Sequence, residues 1–323
     1  MPAVVCRRSG PPDVLQVEEI DRPVVPRNGI LVRVKAASVN PADFFQLTPV
    51  AQVSRVLAGR GRALGNVLGT DFAGTVESVG ESVSEFGPGD DVFGTARGAF
   101  AEYVSTTQLG TVVRKPANVT FEQAAAVPIA AVTALQALRD HGHVQPGQSV
   151  LVNGASGGVG TFAVQIARAL GANVTAVCSP SNIDTLRALG ADRVIDYTRE
   201  DFTQGPERYD LMVDIAGSRS WSECTRVLDA KATLVAVGTS SAHTLGGILG
   251  HAAHLRLRSI GASQRLVIFL ARIRQADLLA LQLLLESGKV TPVIDRRYPL
   301  SHTANALAYL QGGHARGKIV LNL

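Results

Sequence analysis

Histidine is absent from the first 140 residues of this 323-residue chain; all seven lie at or beyond His141. Cysteine is scarce as well. Cys6, Cys178 and Cys224 are far apart, and none sits in a C-x-x-C pair. A catalytic zinc needs three Cys, His or carboxylate ligands converging on one point. The sequence offers no such group in its N-terminal third. Buried thiols in a reducing compartment are expected, and disulfides are not. His141 and His143 flank Gly142 at a helix end, where a cation suits the negative end of the dipole. No uninterrupted apolar run reaches the ~18 residues of a membrane span. Arg7-Arg8-Ser9 leads straight into Gly10-Pro11-Pro12 with no apolar core, so no signal peptide is expected and the cytoplasm is the default. Charge is low too. A formal net charge of +4 on this length does not imply nucleic acid as a partner. There is no G-x-S-x-G and no Ser/His/Asp set for hydrolysis. Hydrophobic residues make up 46% of the chain, enough to give two domains their own cores.

What is present is glycine in one telling place. Val150-Leu151-Val152 runs into Asn153-Gly154-Ala155-Ser156-Gly157-Gly158-Val159-Gly160. A helical pattern follows at Phe162, Val164, Ile166, Ala167 and Leu170. Strand, glycine turn and helix in that order make a pyrophosphate cradle: the first helical turn has unpaired N–H groups and the positive end of the dipole. The spacing is G-x-x-G-x-x-G, and the flanking elements supply the context that such a motif needs. Ala155, Ser156, Gly157, Gly158 and Val159 are the expected cofactor-binding residues.

Short alternating runs fill the chain before it: Leu31–Lys35, Gly74–Val79 and Phe100–Val104. Gly/Pro turns separate them, which predicts a partly open barrel. Thr48 to Asn66, with Arg55, Arg60 and Arg62, breaks the pattern and reads as an excursion over a cleft. From Thr120 the texture changes. Thr120-Phe121-Glu122-Gln123 has the form of a capping box, and an Ala-rich helical pattern runs from it to about Leu138. Strands then alternate with helices: Val150–Val152, Val174–Val177, Val194-Ile195, Leu211–Val213 and Leu234–Val237, the last ending at Gly238. Alternation of this kind predicts a doubly wound parallel sheet with ligands at the carboxyl ends of its strands, Gly238 among them. A leucine-rich helix over Asp277–Glu286 is closed by Ser287-Gly288. Short β-like runs at Val290–Ile294 and Ile319–Leu321 return to the first domain. The expected division is 1–120 with 263–323, and 121–262.

Position after the second strand separates NAD from NADP. An acid there accepts the ribose hydroxyls and repels a 2′-phosphate. The chain has Ser179-Pro180-Ser181-Asn182 and no acid before Asp184, which favours NADPH. The same residues make an ordinary turn, and both readings can hold together. A cation for the phosphate would have to come from Arg193, Arg199 or Arg316.

Several further stretches, taken together, resemble the zinc-independent medium-chain dehydrogenase/reductases of the quinone oxidoreductase (zeta-crystallin-like) group. They are Ser38-Val39-Asn40-Pro41-Ala42-Asp43, Leu68 to Gly74, Gly87 to Gly94, the glycine loop, Leu189 to Tyr197, and Gly317 to Leu321. The similarity runs nearly end to end. It implies an α/β architecture: a GroES-like β-barrel catalytic domain plus a Rossmann doubly wound parallel sheet that binds NADPH. It also implies a homodimer formed through the Rossmann sheet edge near Ser259-Ile260-Gly261. Asn40 is implied beside nicotinamide and substrate, with Asp43 and Phe45 on the same catalytic segment. Thr133 is implied at the nicotinamide end, and Ser179, Ser181, Asn182 and Tyr197 at the adenosine 2′-phosphate. Asn40 before Pro41 can equally be a turn residue, Asp43 a helix cap, and Asp71 structural. Two departures stand out. Phe45 replaces a Tyr common in the group and removes a phenolic proton donor, and Asn182 replaces a Lys.

The expected activity is hydride transfer from NADPH to a quinone or an activated alkene or carbonyl. An enoyl reductase of secondary metabolism acting on an acyl thioester is the alternative, with the Arg55–Arg62 stretch touching a carrier or CoA phosphates. An NADPH-regulated RNA-binding protein is a remote third, since no basic and aromatic residues interleave.

Overall fold

Alternation becomes strand through most of the N-terminal third. The computed structural model describes residues 1–48, 67–238 and 245–323. The excursion expected after Thr48, with its three arginines, lies outside the described residues. β1 (Pro2–Val5) and β2 (Gln16–Glu19) form a small antiparallel ladder. β3 (Gly29–Val39) is the longest strand and is followed at once by α1 (Pro41–Phe45). Then come β4 (Asp71–Val79), β5 (Asp91–Thr95), β6 (Tyr103–Thr107) and β7 (Val112–Arg114). The run expected at Phe100–Val104 splits. Ala101 makes a lone bridge to Ala3, and the strand proper starts at Tyr103.

β3 organises the sheet. It pairs with β4 along one edge, and on the other edge first with β6 and then with the C-terminal strand. Two register shifts against β4, at Leu31/Val32 and Val34/Ala36, let the long strand bend. Its two faces feed different cores. Ile30, Val32 and Val34 pack with Phe72, Phe86 and Val92, whereas Ala37 and Val39 pack with Leu68, Phe100 and Leu307.

The Ala-rich stretch is not one helix. Thr120 and Gln123 close a reciprocal capping box on α2 (Phe121–Ala125), with bonds of 3.2 and 2.9 Å. Pro128, which has no N–H to give, starts a second helix, α3 (Pro128–Leu135). α3 runs into a wide π turn over Gln136–His141.

The sheet of the second unit is built from β8 (Ser149–Asn153), α4 (Gly158–Ala169), β9 (Asn173–Cys178), α5 (Ile183–Ala188), β10 (Arg193–Asp196), β11 (Tyr209–Asp214), α6 (Trp221–Thr225), β12 (Leu228–Ala236), α7 (Leu245–Arg258) and β13 (Arg265–Ile268). All its pairings are parallel, in the order β10-β9-β8-β11-β12-β13. In order of appearance that is 3-2-1-4-5-6, the doubly wound arrangement, with its switch point between β8 and β11. Val150, Leu151 and Val152 are wholly buried, as a strand covered on both faces requires.

α8 (Gln275–Glu286), β14 (Ile294–Pro299), α9 (Thr303–Gln311) and β15 (Lys318–Asn322) complete the chain. Gly288 closes α8 with φ +67°, and its N–H bonds the Leu285 carbonyl at 3.0 Å. β15 pairs with β3 and β14, joining the N-terminal sheet.

Two compact units result: Met1–Ala130 with Ile273–Gly288 and Pro292–Leu323, and Ala131–Arg272 with Lys289–Thr291. The edges of these units at 130/131 and 272/273 lie ten residues beyond the expected 120/121 and 262/263. β13 is a sixth parallel strand bonded to β12, although its short, arginine-bearing sequence gives little strand signal. The run at Val290–Ile294 also shifts, since Lys289–Thr291 belongs to the second unit and the strand begins at Ile294.

Candidate active site

In the second unit, the carboxyl ends of four strands meet around the glycine loop. Gly154 leaves β8 with φ +84°, a left-handed conformation suited to glycine. Gly160 has no room for a side chain. A Cβ there would lie 2.2 Å from the Gly154 carbonyl oxygen and 2.6 Å from Ala155 backbone atoms. Gly157, the N-cap of α4, is different. Its nearest neighbour to a built Cβ is 3.6 Å away, and it offers no side-chain cap. The first backbone bond into α4 from this side is Thr161 N–H to the Gly157 carbonyl, 3.0 Å. The donors of Gly158, Val159 and Gly160 precede it at the positive end of a 12-residue helix. Ala155 is buried and bonds back to the Val177 carbonyl at 3.1 Å, which fixes the loop against β9. Ser156, Gly157, Gly158 and Val159 are partly exposed on the open side of the turn. This cradle fits a dinucleotide pyrophosphate.

The loop after β11 is locked to the same place. Asn153 Nδ2 donates to Asp214 Oδ1 at 2.8 Å, and the Gly217 N–H donates to the same oxygen at 3.0 Å. The Ile215 N–H bonds the Asn153 carbonyl, 3.0 Å. Gly238, just past β12, lies so close to Ile215 that a Cβ would sit 2.1 Å from its carbonyl oxygen. Gly238 thus serves close packing of two strand ends. Asn153 and Asp214, which the sequence reading missed, tie the switch point together. Their signal was a polar residue ending each of two apolar strands.

After β9 the turn at Ser179 closes on itself. Asn182 is buried, and its Nδ2 donates to Ser179 Oγ at 2.8 Å. It therefore helps to shape the turn. Ser181 is exposed, and its hydroxyl lies 3.4 Å from that of Ser179. Tyr197 is also exposed, and its N–H bonds the Cys178 carbonyl at 3.2 Å, which brings it beside Ser179. Of the three arginines considered for a phosphate, Arg193 is committed to Glu200 and Glu207. Arg316 belongs to the first unit, and Arg199 is exposed next to Tyr197. Thr133 is half-buried on α3 of the second unit.

In the first unit, three neighbouring strands place charged side chains in one dry corner. β15 supplies Lys318, β3 leads into Asn40 and carries Ser38, and β4 supplies Asp71. Ser38 stands opposite Asp71 in the ladder, and Val39 opposite Ile319. Lys318 Nζ donates to Asn40 Oδ1 at 2.6 Å and to the Val39 carbonyl at 3.1 Å. Asn40 Nδ2 donates to Asp71 Oδ2 at 3.0 Å and to the Ser38 carbonyl at 3.2 Å. Ser38 Oγ and the Ile129 N–H also donate to Asp71 Oδ2, while Asp71 Oδ1 is buried with no partner. Asp43 Oδ2 accepts from the Asn40 N–H at 2.8 Å, half of a capping box on α1, and its Oδ1 accepts from Gln46. The cap reading of Asp43 is thus realised. Asn40, Asp43, Asp71 and Lys318 are all at most 4% exposed, whereas Phe45 is 36% exposed on α1. Burial pushes the Asp43 carboxyl up to about 7 and the Asp71 carboxyl up to about 6, and it lowers the Lys318 ammonium below the usual lysine range. The structure brings Asn40 and Asp43 together. It adds Lys318, Asp71 and Ser38, whose signal was a lone charge in each of two apolar strands.

Among the described residues, no three His, Cys, Asp or Glu side chains are grouped so as to hold a metal ion. All three cysteines are buried and none is in a disulfide. Among the described residues, no helix is long and apolar enough to cross a membrane.

With this geometry in view, similarities to known proteins gain meaning. Residues 26–117 match the family described as alcohol dehydrogenase GroES-like domain, and residues 189–321 match that described as zinc-binding dehydrogenase. The chain is 32% identical to a mitochondrial NAD(P)H oxidoreductase, RTN4IP1, of Mus musculus, covering 100% of this chain and 89% of the other. It is 30% identical to a chloroplastic NADPH-dependent alkenal/one oxidoreductase of Arabidopsis thaliana, covering 99% and 79%. The solved quinone oxidoreductase of Coxiella burnetii superposes with a TM-score of 0.85 at 31% identity, covering 100% of this chain and 99% of that one.

Proposed function

The chain belongs to the medium-chain dehydrogenase/reductase family, in its quinone oxidoreductase branch, and from that membership we propose an NADPH-dependent reductase of quinones and activated alkenes such as enones and enals. The observation that carries this reading is the open glycine cradle at the switch point of a doubly wound sheet, with donors at the α4 N-terminus. Relatives named for quinone and for alkenal/one reduction support the substrate class.

When bound, the nicotinamide cofactor supplies the hydride, and the chain's residues bind and orient. Gly157, Gly158 and Val159 hold the pyrophosphate. Ser179, Ser181 and Tyr197 suit a 2′-phosphate, and the absence of an acid before Asp184 favours NADPH over NADH. Thr133 is assigned to the nicotinamide end. Asn40, Asp43 and Phe45 are assigned to the substrate side. Phe45 has no hydroxyl and an amide is no acid, so water is the proposed source of the proton that a reduced substrate would take up. We further assign a zinc-free mechanism. The donor set of the dry corner is an amide, a hydroxyl and two carboxylates already facing a lysine ammonium, which does not suit a second cation.

A homodimer fits the edge of β13, which has no second strand neighbour among the described residues; Ile268 on that strand is 41% exposed, and Ile260, in the turn after α7, is 76% exposed. Ile260→Glu then yields monomers by light scattering, and an unchanged mass removes this edge from the interface. Buried thiols outside disulfides suit a cytoplasmic setting. The activity is tested by following NADPH oxidation with a panel of quinones, enones and enals. Turnover of several panel members is expected, and none with any of them overturns the reading.

A further inference from the structure

Asn40 has an amide with two hydrogens and one carbonyl oxygen, and all three are used. Its oxygen faces a lysine, which can only donate. Its nitrogen faces a carboxylate oxygen and a main-chain carbonyl, which can only accept. Turning the amide over would set N–H against ammonium and oxygen against two oxygens. The orientation is therefore dictated by chemistry on both sides at once. Lys318 lies across from Asn40 on β15, and Asp71 across from Ser38 on β4, so the amide bridges a buried cation and a buried anion. In a water-poor interior each of these groups is costly without its partner.

We propose that Lys318 and Asp71 are positioning residues that lock the Asn40 side chain inward, so that Asn40 serves the reaction as a rigid anchor for the start of α1 and not as a hydrogen-bond donor to the substrate. The anchor is direct. The Asn40 N–H holds Asp43, and α1 then carries Phe44 and Phe45. The charges acting on this corner are those of Asp43, Asp71 and Lys318 upon one another. Lys318 holds both carboxyls lower than burial alone would put them, so its removal is felt as a change in their titration.

The proposal rests on the reductase reading only in treating α1 as part of the reacting side. Its first test is independent of activity and needs no variant. In protein labelled with nitrogen-15 at asparagine, the Asn40 side-chain hydrogens should exchange with water far more slowly than those of an exposed asparagine. Lys318→Met should speed that exchange, and Lys318→Arg should keep it slow. Exchange of Asn40 in the unaltered protein as fast as that of an exposed asparagine overturns the lock, whether or not any substrate is turned over.

The second test is a double-mutant cycle on the full-length enzyme. Lys318→Met and Asn40→Ala should each lower kcat by about 10- to 100-fold and leave the Kd for NADPH within about twofold. The pair combined should cost no more than the worse single change, because the residues act as one unit. The pH profile of kcat in Lys318→Met should move to higher pH, as the carboxyls lose their neighbouring cation. Multiplying effects, or an Asn40→Ala loss with kcat and pH profile unmoved in Lys318→Met, would show that Asn40 meets the substrate itself. A complete lack of turnover in the unaltered enzyme defeats the reductase reading and leaves the exchange test to decide the lock.

Discussion

Gln165 grips the main chain of Thr291 at both ends of its amide. Its Nε2 donates to the Thr291 carbonyl at 3.1 Å, and its Oε1 accepts the Thr291 N–H at 2.8 Å. Gln136 does the same to Arg272, at 2.7 and 3.2 Å. Both gripped residues belong to the second unit, and each is the last before the chain passes to the first. Both glutamines are buried, on α4 and on the π turn. Each therefore ties down an irregular segment between elements of regular structure.

Replacing Gln165 by Leu removes its two bonds to Thr291 and a third to the Thr161 carbonyl, and the exposed Thr291 groups turn to water instead. A loss of about 1 kcal/mol is expected, read as a lower midpoint of chemical unfolding. Gln165→Glu keeps one acceptor and adds a buried charge, so it should do no better.

The two glycines of the loop should separate stability from binding. Gly160→Ala drives a Cβ into main-chain atoms and should lower the melting temperature and the yield of folded protein. Gly157→Ala meets nothing closer than 3.6 Å and should fold normally. Its methyl group sits at the N-cap where the cofactor would approach, so Kd for NADPH should rise by about tenfold or more in a fluorescence titration. A Gly157→Ala protein that melts early but binds normally would reverse this assignment.

Stability should fall as pH rises through the range where the buried carboxyls give up their protons. Asp43 titrates at about 7 when folded and near the ordinary carboxylate range when unfolded. Between those values the folded state holds the extra proton, so raising the pH works against folding. Asp71, at about 6, adds in the same direction. Asp43→Asn should therefore flatten the dependence of melting temperature on pH between about 4 and 7. A variant as steep as the unaltered protein would take Asp43 out of this account.

Cofactor choice is open to a single substitution. Ser179→Asp places a carboxylate beside Ser181 and Tyr197, at the end of β9. kcat/KM with NADPH should drop by about tenfold or more, while NADH is affected less, since like charges in close contact cost several kcal/mol. Equal losses with both cofactors would argue against a 2′-phosphate at this turn.

The glycine loop, the parallel sheet and the Thr120 capping box were readable because each is local: a spacing, a period or a pair three residues apart. The Ala-rich helix was misjudged in length because helix propensity says nothing of the Pro128 restart. β13 was missed because its four residues, Arg265 to Ile268, are shorter than a period can establish, and it exists through its pairing with β12. The bond from Asn182 to Ser179 was not legible either, since a turn sequence does not say which way its side chains face. The Lys318 corner was the hardest, since its members are 278 residues apart in sequence. Only the register of three strands brings them within reach of one another.

That register carries a consequence for how the protein is made. The chain leaves the ribosome from its N-terminus, and domains commonly fold in the order they emerge. Here the order is broken. β3 and Asn40 appear early, but their edge partner β15 and the lysine that satisfies Asn40 follow the whole doubly wound unit in sequence. The doubly wound unit is nearly continuous in sequence and can form while the first sheet still waits with an open edge. A chain stopped before Lys318 would strand that edge and leave Asp71 and Asp43 without their cation, so it should aggregate.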